Sequence, residues 1–168
     1  MKVERLPSLV VSAVLMLAAT TAHAQQPAAP PPPPPYGPPI TLEQAKKVVA
    51  GAEAEAKKNN WNVVIAVLDS GGNLVMLQRL DGAPLGSIEV AREKAYSAVA
   101  FRRPTKALED ALGQGGANLR ILRVPGASPL EGGLPIVVDG KLIGAVGVSG
   151  VLSTQDAQTG RVGIEALK

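Results

Sequence analysis

Residues 63–74 read VVIAVLDSGGNL and carry the clearest strand and turn signals in the chain. The first six residues are all apolar and rich in β-branched side chains, which is typical of a strand covered on both faces. Residues 69–73 form a strong turn sequence, and residues 74–80 supply a second mostly apolar run. This stretch therefore predicts a β-hairpin.

The flanking sequence predicts helices around this hairpin and a second hairpin near the C-terminus. Thr41 and Gln44 match a capping box for a first helix, Ser87 is suited to cap a second, and residues 105–112 predict a third. Residues 119–124 predict a further strand, Asp139-Gly140 predicts the turn of the second hairpin, and residues 153–156 resemble a capping box before a last helix. Together these elements predict an α+β fold in three layers, with a largely antiparallel sheet of about five strands.

The N-terminal segments predict export. Lys2 and Arg5 precede an apolar run at residues 6–19 and the small-residue pattern Ala22-His23-Ala24, which is the order of a secretory signal peptide. We expect cleavage after Ala24 and a periplasmic or secreted product that does not span the membrane, because the apolar run is shorter than the roughly 20 residues of a span. Residues 25–39 are Pro-rich and predict a stiff linker outside the core, which assigns residues 40–168 to the folded domain.

The composition excludes several kinds of chemistry. The chain has no Cys and one His, His23, which lies in the predicted signal peptide. The mature protein would then lack thiol nucleophiles, disulfides, imidazole bases and Cys/His metal sites, so no metal site is predicted. The balance of 17 basic and 14 acidic residues gives a net charge of +3, which does not favour nucleic acid as a partner.

Two glycine motifs also fail as catalytic or nucleotide-binding signatures. Gly144, Gly147 and Gly150 do not match the dinucleotide fingerprint and lie within a predicted strand, where they favour close packing. Ser149, between two of these glycines, has no histidine in the mature chain to activate it.

The candidate site residues are polar side chains around the first hairpin and the second helix: Arg79, Asp81, Lys94, Tyr96, Arg102, Arg103 and Thr105. Two interpretations stay open. The charged members, with Glu93, could form a salt bridge at a junction between helix and hairpin. Alternatively they form a basic cleft for an anionic small-molecule ligand, because Arg binds carboxylates through two parallel hydrogen bonds.

The sequence resembles the GlcG/HbpS family, which includes the C-terminal domain of PduO-type proteins. The resemblance rests on LDSGGNL at 68–74, RLDGA at 79–83, SI at 87–88, AREKAYSA at 91–98, GGLPI at 132–136, IGAVGVSG at 143–150, and Asp156. It implies a profilin-like fold, with a five-stranded antiparallel sheet and helices on both faces. It also implies homo-oligomers and haem as a ligand.

The resemblance and the composition together narrow the choice of haem ligands. Of the side chains that usually bind haem iron, the predicted mature chain retains Met76, Tyr36 and Tyr96, and Tyr96 is the best placed. Thr105 matches a threonine considered near the iron in exported relatives. Arg79, Lys94, Arg102 and Arg103 are the candidate partners of the haem propionates.

Three functions remain open on this basis. The first is an exported protein that binds haem or another tetrapyrrole. The second is an isomerase or lyase for a small organic acid, with Lys94 as base or electrostatic stabiliser, Arg79 as carboxylate clamp and Asp81 as orienting group. The third is a non-catalytic oligomeric scaffold or a partner of a sensor protein.

Overall fold

The computed structural model describes residues 32–168, so the predicted signal peptide and residues 25–31 of the Pro-rich linker lie outside the described residues. The helices are α1 Leu42–Lys58, α2 Ser87–Ala100, α3 Lys106–Gly113 and α4 Ser153–Glu165, with a 3-10 helix at Gly116–Arg123. The strands are β1 Val64–Asp69, β2 Leu74–Arg79, β3 Gly133–Val138 and β4 Lys141–Ser149.

The sheet is antiparallel and has four strands in the order β2-β1-β4-β3. Both predicted hairpins are confirmed, but the predicted fifth strand is wrong. Leu119 and Leu122 recur at a spacing of three residues, as do Arg120 and Arg123, which is the period of a 3-10 helix and not of a strand.

Helices cover both faces of this sheet. Val63, Ile65 and Val67 join the apolar cluster under α1 and α4, whereas the alternating residues of the same strand join the cluster under α2. The unbroken apolar run of β1 thus reflects a central strand that is buried on both faces. The predicted α+β architecture is confirmed in this form.

The helix starts agree only in part with the predicted caps. At α1 the Thr41 side chain accepts from the Gln44 backbone N–H at 3.2 Å, and the Gln44 side chain accepts from the Thr41 N–H, as predicted. Ser87 does not cap α2, because it is already the first residue of the helix and is buried. At α4 the predicted box of Ser153 and Asp156 does not form, because the cap is Leu152, whose backbone N–H donates to the Gln155 side chain at 3.2 Å.

Close packing of α2 on the sheet depends on a glycine of β4. A Cβ atom built on Gly147 would lie 2.0 Å from the carbonyl oxygen of Ala91, so only glycine fits. The interpretation of these strand glycines as close-packing positions is therefore confirmed at Gly147.

The last residues of the predicted linker lie against the sheet. The Leu142 N–H donates to the Pro35 carbonyl at 2.8 Å, and the Gly37 N–H donates to the Leu142 carbonyl at 2.8 Å. The Tyr36 hydroxyl donates to the carbonyl of Val99 at 3.0 Å. Residues 35–37 thus extend the pairing of β4 beyond the end of β1, which corrects the expectation that all of residues 25–39 stay outside the folded domain. Between residues 32 and 168, no helix is both long enough and apolar enough to cross a membrane.

Candidate functional site

Lys94 is enclosed by the protein. Its side chain is on α2, yet the residue is only 2% exposed, and its ammonium lies 2.8 Å from a carboxylate oxygen of Asp156 on α4. The same nitrogen donates to the Val148 carbonyl at 3.0 Å. Lys94 therefore does not line a basic cleft, and it forms no salt bridge with Arg79, Asp81 or Glu93 in the described residues. Both predictions for Lys94, as a ligand-binding cation and as a member of that salt bridge, are wrong.

The Asp156 carboxylate is equally buried, at 1% exposure. Burial raises its pKa above the ordinary value for Asp, and the hydrogen bond and positive charge of Lys94 oppose that rise. The Val151 N–H donates to its other oxygen at 3.3 Å. The strand-preceding Gly132 makes room for the pair, because a Cβ there would lie 2.8 Å from the Lys94 ammonium.

Thr105 is also fully buried, which corrects its assignment as a residue near haem iron. Its hydroxyl donates to the Leu130 carbonyl at 2.6 Å and accepts from the Gly133 N–H at 3.0 Å. Its backbone N–H donates to the Gly133 carbonyl at 3.0 Å. Thr105 therefore pairs with the edge of β3 and has no free side toward a ligand.

The three candidate arginines each bond to a different backbone carbonyl. Arg79 donates two hydrogen bonds to the Ala83 carbonyl, at 3.2 and 2.9 Å. Arg102 lies 5.3 Å from the centre of the Tyr36 ring and donates to the Pro34 carbonyl at 3.4 Å. Arg103 donates to the Phe101 carbonyl at 3.2 Å, so the structure does not assemble the predicted cationic set into one cleft.

Tyr96 is the sequence candidate that lines the cavity on the hairpin side of α2. The residue is 46% exposed, and its hydroxyl forms no hydrogen bond within residues 32–168. The cavity has a volume of about 340 Å³. Its walls are formed by Leu68, Gly72, Leu74, Glu89, Arg92, Glu93, Tyr96, Gly126, Ala127 and Ser128.

Two glycines with positive φ hold the Tyr96 ring between them. Gly72 lies in the turn of the first hairpin at φ +82°, and Gly126 lies in the loop before β3 at φ +76°. A Cβ on Gly126 would lie 2.6 Å from the ring and one on Gly72 would lie 3.1 Å away. Both the backbone conformation and the close approach require glycine at these positions.

The Asp69 carboxylate shapes the turn that presents Gly72. It accepts from the Gly71 N–H at 2.8 Å and from the Asn73 N–H at 2.9 Å. Partial burial acts to raise the pKa of Asp69, but these hydrogen bonds outweigh it and hold the pKa below the ordinary value.

The rim of the cavity contains two residues that the sequence did not suggest, Glu89 and Arg92. Arg92 lies 3.0 Å from a carboxylate oxygen of Glu89, and both line the cavity together with Glu93. Their spacing could have indicated that they line the same cavity as Tyr96, because residues three, four and seven positions before it lie on the same face of the helix. The loop residues around Gly126 gave no comparable signal, because only the fold brings them next to α2.

The other side chains among the described residues that could bind haem iron, Met76 and Tyr36, make contacts away from the cavity. Met76 packs against the apolar cluster under α1, and the Tyr36 hydroxyl is bonded to the end of α2. Within residues 32–168, no group of three His, Cys, Asp or Glu side chains is arranged to hold a metal ion.

The fold and the cavity together define the class of protein. It is a three-layer α+β domain with a small pocket beside one helix, and its described residues hold no metal site. Residues 40–165 match the family model described as "Haem degrading protein HbpS-like". The chain belongs to this HbpS-like family.

Individual relatives agree with this membership. The protein GlcG of Escherichia coli K12 is 42% identical over 110 residues, which covers 66% of this chain and 81% of GlcG. A crystal structure of HbpS superimposes with a TM-score of 0.72 at 34% identity and covers 79% of this chain and 92% of HbpS. A crystal structure of a PduOC:haem complex gives a TM-score of 0.70 at 28% identity, with 76% and 94% coverage.

Proposed function

We propose that this protein is an exported haem- or tetrapyrrole-binding protein and that its ligand binds in the cavity beside Tyr96. The family description and the relative solved with haem support the kind of ligand. The observation that carries the choice of site is the Tyr96 phenol, which is half exposed and is held between Gly72 and Gly126 without a hydrogen-bond partner in residues 32–168. Export rests on the signal-peptide pattern of residues 1–24.

The residues of the cavity fit a haem ligand through one oxygen donor and an apolar wall. A phenol oxygen is an established protein ligand of haem iron. Leu68 and Leu74 supply apolar surface, and Arg92 supplies a cation for a propionate. An incoming propionate would compete with Glu89 for Arg92, because the two side chains are already paired. Haem would supply its iron and its flat apolar ring, while the protein holds and orients them.

A hemin titration of the protein that begins at Gln25 tests this proposal. Tyr96→Phe removes the phenol oxygen and is expected to change the Soret band and to weaken binding at least about tenfold. Tyr36→Phe is the matched control, because it removes the other mature tyrosine hydroxyl, which is bonded to the Val99 carbonyl and does not line the cavity, and it is expected to leave the spectrum unchanged. A Soret spectrum equal to that of hemin on an inert carrier protein, and identical in both variants, would contradict the proposal.

The isomerase or lyase hypothesis gains no support from the geometry. Its proposed base, Lys94, is enclosed and paired with Asp156, while Arg79 and Asp81 lie at a different cavity. The three residues therefore do not meet around one substrate.

Self-association is a second proposal, and one observation favours it. Neither α3 nor the 3-10 helix contains a buried residue, and Leu119 and Leu122 are 53% and 63% exposed. We infer that a second copy of the chain covers these leucines, because burying apolar surface is favourable.

Light scattering after size exclusion should show that Leu119→Ser with Leu122→Ser lowers the oligomeric mass. The control Leu152→Ser, an exposed leucine before α4, should leave the mass unchanged, and equal masses in all three proteins would refute the inference.

A further inference from the structure

A second cavity of about 540 Å³ lies away from Tyr96, and the proposed function does not use it. It is lined by Glu53, Lys57, Asn60, Trp61, Asn62, Gln78, Arg79, Leu80 and Asp81. Gln78 and Arg79 pair with the start of β1, whereas the Tyr96 ring contacts Gly72 in the turn at its far end. The six residues of β1 separate the two cavities by roughly 20 Å.

The charges around this second cavity cancel. Glu53 and Asp81 contribute two carboxylates, and Lys57 and Arg79 contribute two cations. Lys57 is already paired with Glu53 at 2.6 Å, and two of the Arg79 donors are taken by the Ala83 carbonyl. With no excess of either sign, the lining favours a neutral ligand over an anion or a cation.

The neutral polar groups of the cavity are amides. The side chains of Asn60 and Asn62 form no hydrogen bond within the described residues 32–168, and each offers both a donor and an acceptor. The backbone places them: Asn60 adopts φ +57° at the end of α1, and the Asn62 amide lies against Gly82, where a Cβ would be 2.8 Å away. A set of groups that both donate and accept matches hydroxyl groups, which do the same.

Trp61 supplies the apolar part of the wall. It is the single tryptophan of the chain, it is partly buried against the core, and it also lines this cavity. Its flat indole surface can contact the C–H face of a ring while the nearby amides and carboxylates bind that ring's hydroxyl groups.

We propose that this cavity is a carbohydrate site that takes a neutral pyranose, either as a free sugar or as the end of a glycan. Trp61 contacts the face of the sugar, and Asn60, Asn62, Gln78 and Asp81 bind its hydroxyl groups. The site acts independently of the Tyr96 cavity.

Fluorescence of the mature protein tests the proposal directly, because all tryptophan emission comes from Trp61. D-glucose, D-galactose, D-mannose and maltotetraose serve as probes, with D-gluconate as the anionic comparison. At least one neutral probe should shift the emission and saturate with a Kd of about millimolar order, as expected for a small ligand. Tighter binding of maltotetraose than of glucose identifies a glycan end as the natural source, and equal binding identifies a free sugar.

Variants separate binding at this site from a general effect on folding. Asn62→Ala should weaken the responding sugar about five- to tenfold. Asn118→Ala, which removes a partly exposed amide of the 3-10 helix that bonds Gln114, and Tyr96→Phe should leave the affinity unchanged. The proposal is overturned if no neutral probe changes the emission up to about 100 mM, if gluconate binds more tightly than every neutral sugar, or if Asn118→Ala weakens binding as much as Asn62→Ala does.

Discussion

Lys94 and Tyr96 are two residues apart on α2, and the protein treats their side chains in opposite ways. At that spacing they point to opposite sides of the helix. The ammonium of Lys94 is enclosed and paired with Asp156, whereas the phenol of Tyr96 stands half exposed in a cavity. One helix thus supplies an interior contact to α4 on one side and a candidate ligand site on the other. A charged residue next to a binding residue in sequence need not belong to the same site.

Glycines shape both sides, but they do so differently. Gly132 makes room for the ion pair, and Gly133 lets β3 approach the Lys94 carbonyl, since a Cβ there would lie 2.2 Å from that oxygen. Gly72 and Gly126 fix an aromatic ring and leave space in front of it. On the Lys94 side close packing excludes solvent, and on the Tyr96 side it orients a group toward solvent.

The largest expected effect comes from breaking the buried pair. Lys94→Met leaves the Asp156 carboxylate without its cation and should lower the free energy of unfolding by about 3–5 kcal/mol, measured by urea denaturation. The double variant Lys94→Met with Asp156→Leu should recover most of this loss, because no charge then remains buried. Lys106→Met, which removes an exposed partner of Asp110, is the control and should change stability little. A loss in the double variant as large as in Lys94→Met would show that the ion pair itself stabilises the fold.

A smaller effect is expected from disturbing the Tyr96 side. Gly126→Ala places a methyl group 2.6 Å from the Tyr96 ring and strains a backbone at φ +76°. We expect the ring to move and hemin affinity to fall about tenfold, a change of about 1.4 kcal/mol, in a spectroscopic titration. Gly86→Ala is the matched control, because a Cβ there meets no atom within 4 Å and its φ is −62°. Equal hemin affinity in the two alanine variants would mean that the ring position does not matter for binding.

The smallest expected effect is a contrast in pH dependence between the two sides. The pKa of Asp69 is lowered, so the stability it contributes is present above the ordinary Asp value of 3.8 and is lost as the pH falls through its folded value. The pKa of Asp156 is raised above 3.8, so its contribution is most favourable at low pH and is lost as the pH rises through its folded value.

Unfolding free energies of the wild type, Asp69→Asn and Asp156→Asn between about pH 3 and pH 7 measure this contrast. Relative to Asp69→Asn, the wild type should lose stability on acidification. Relative to Asp156→Asn, the wild type should gain stability as the pH falls toward 3.8. Two differences that change in the same direction with pH would contradict the assignment.

The sequence was sufficient to predict the elements whose signals are local. Both hairpins, the Thr41 cap and the antiparallel α+β architecture follow from neighbouring residues, and the structure contains them. The strand predicted at residues 119–124 was wrong, because a short apolar run with a period of three resembles a strand when only its composition is considered.

The site was less predictable because its geometry depends on long-range contacts. Asp156 pairs with Lys94 although the two are 62 residues apart in sequence, and no sequence signal near Lys94 indicates that partner. Thr105 likewise finds Gly133 across 28 positions. Tyr96 could be selected by its chemistry, but Gly126 could not, because only the folded chain brings that loop to the ring.

The pairing of Thr105 with Gly133 also blocks part of an exposed sheet edge. β3 is an edge strand, and an edge strand with free N–H and C=O groups is a template for the strand of another molecule. The outward N–H and C=O of Gly133 are both taken by Thr105. Two residues further on, the next outward position is Pro135, which has no N–H to offer. The first part of this edge, from Gly133 to Pro135, is therefore closed to strand addition.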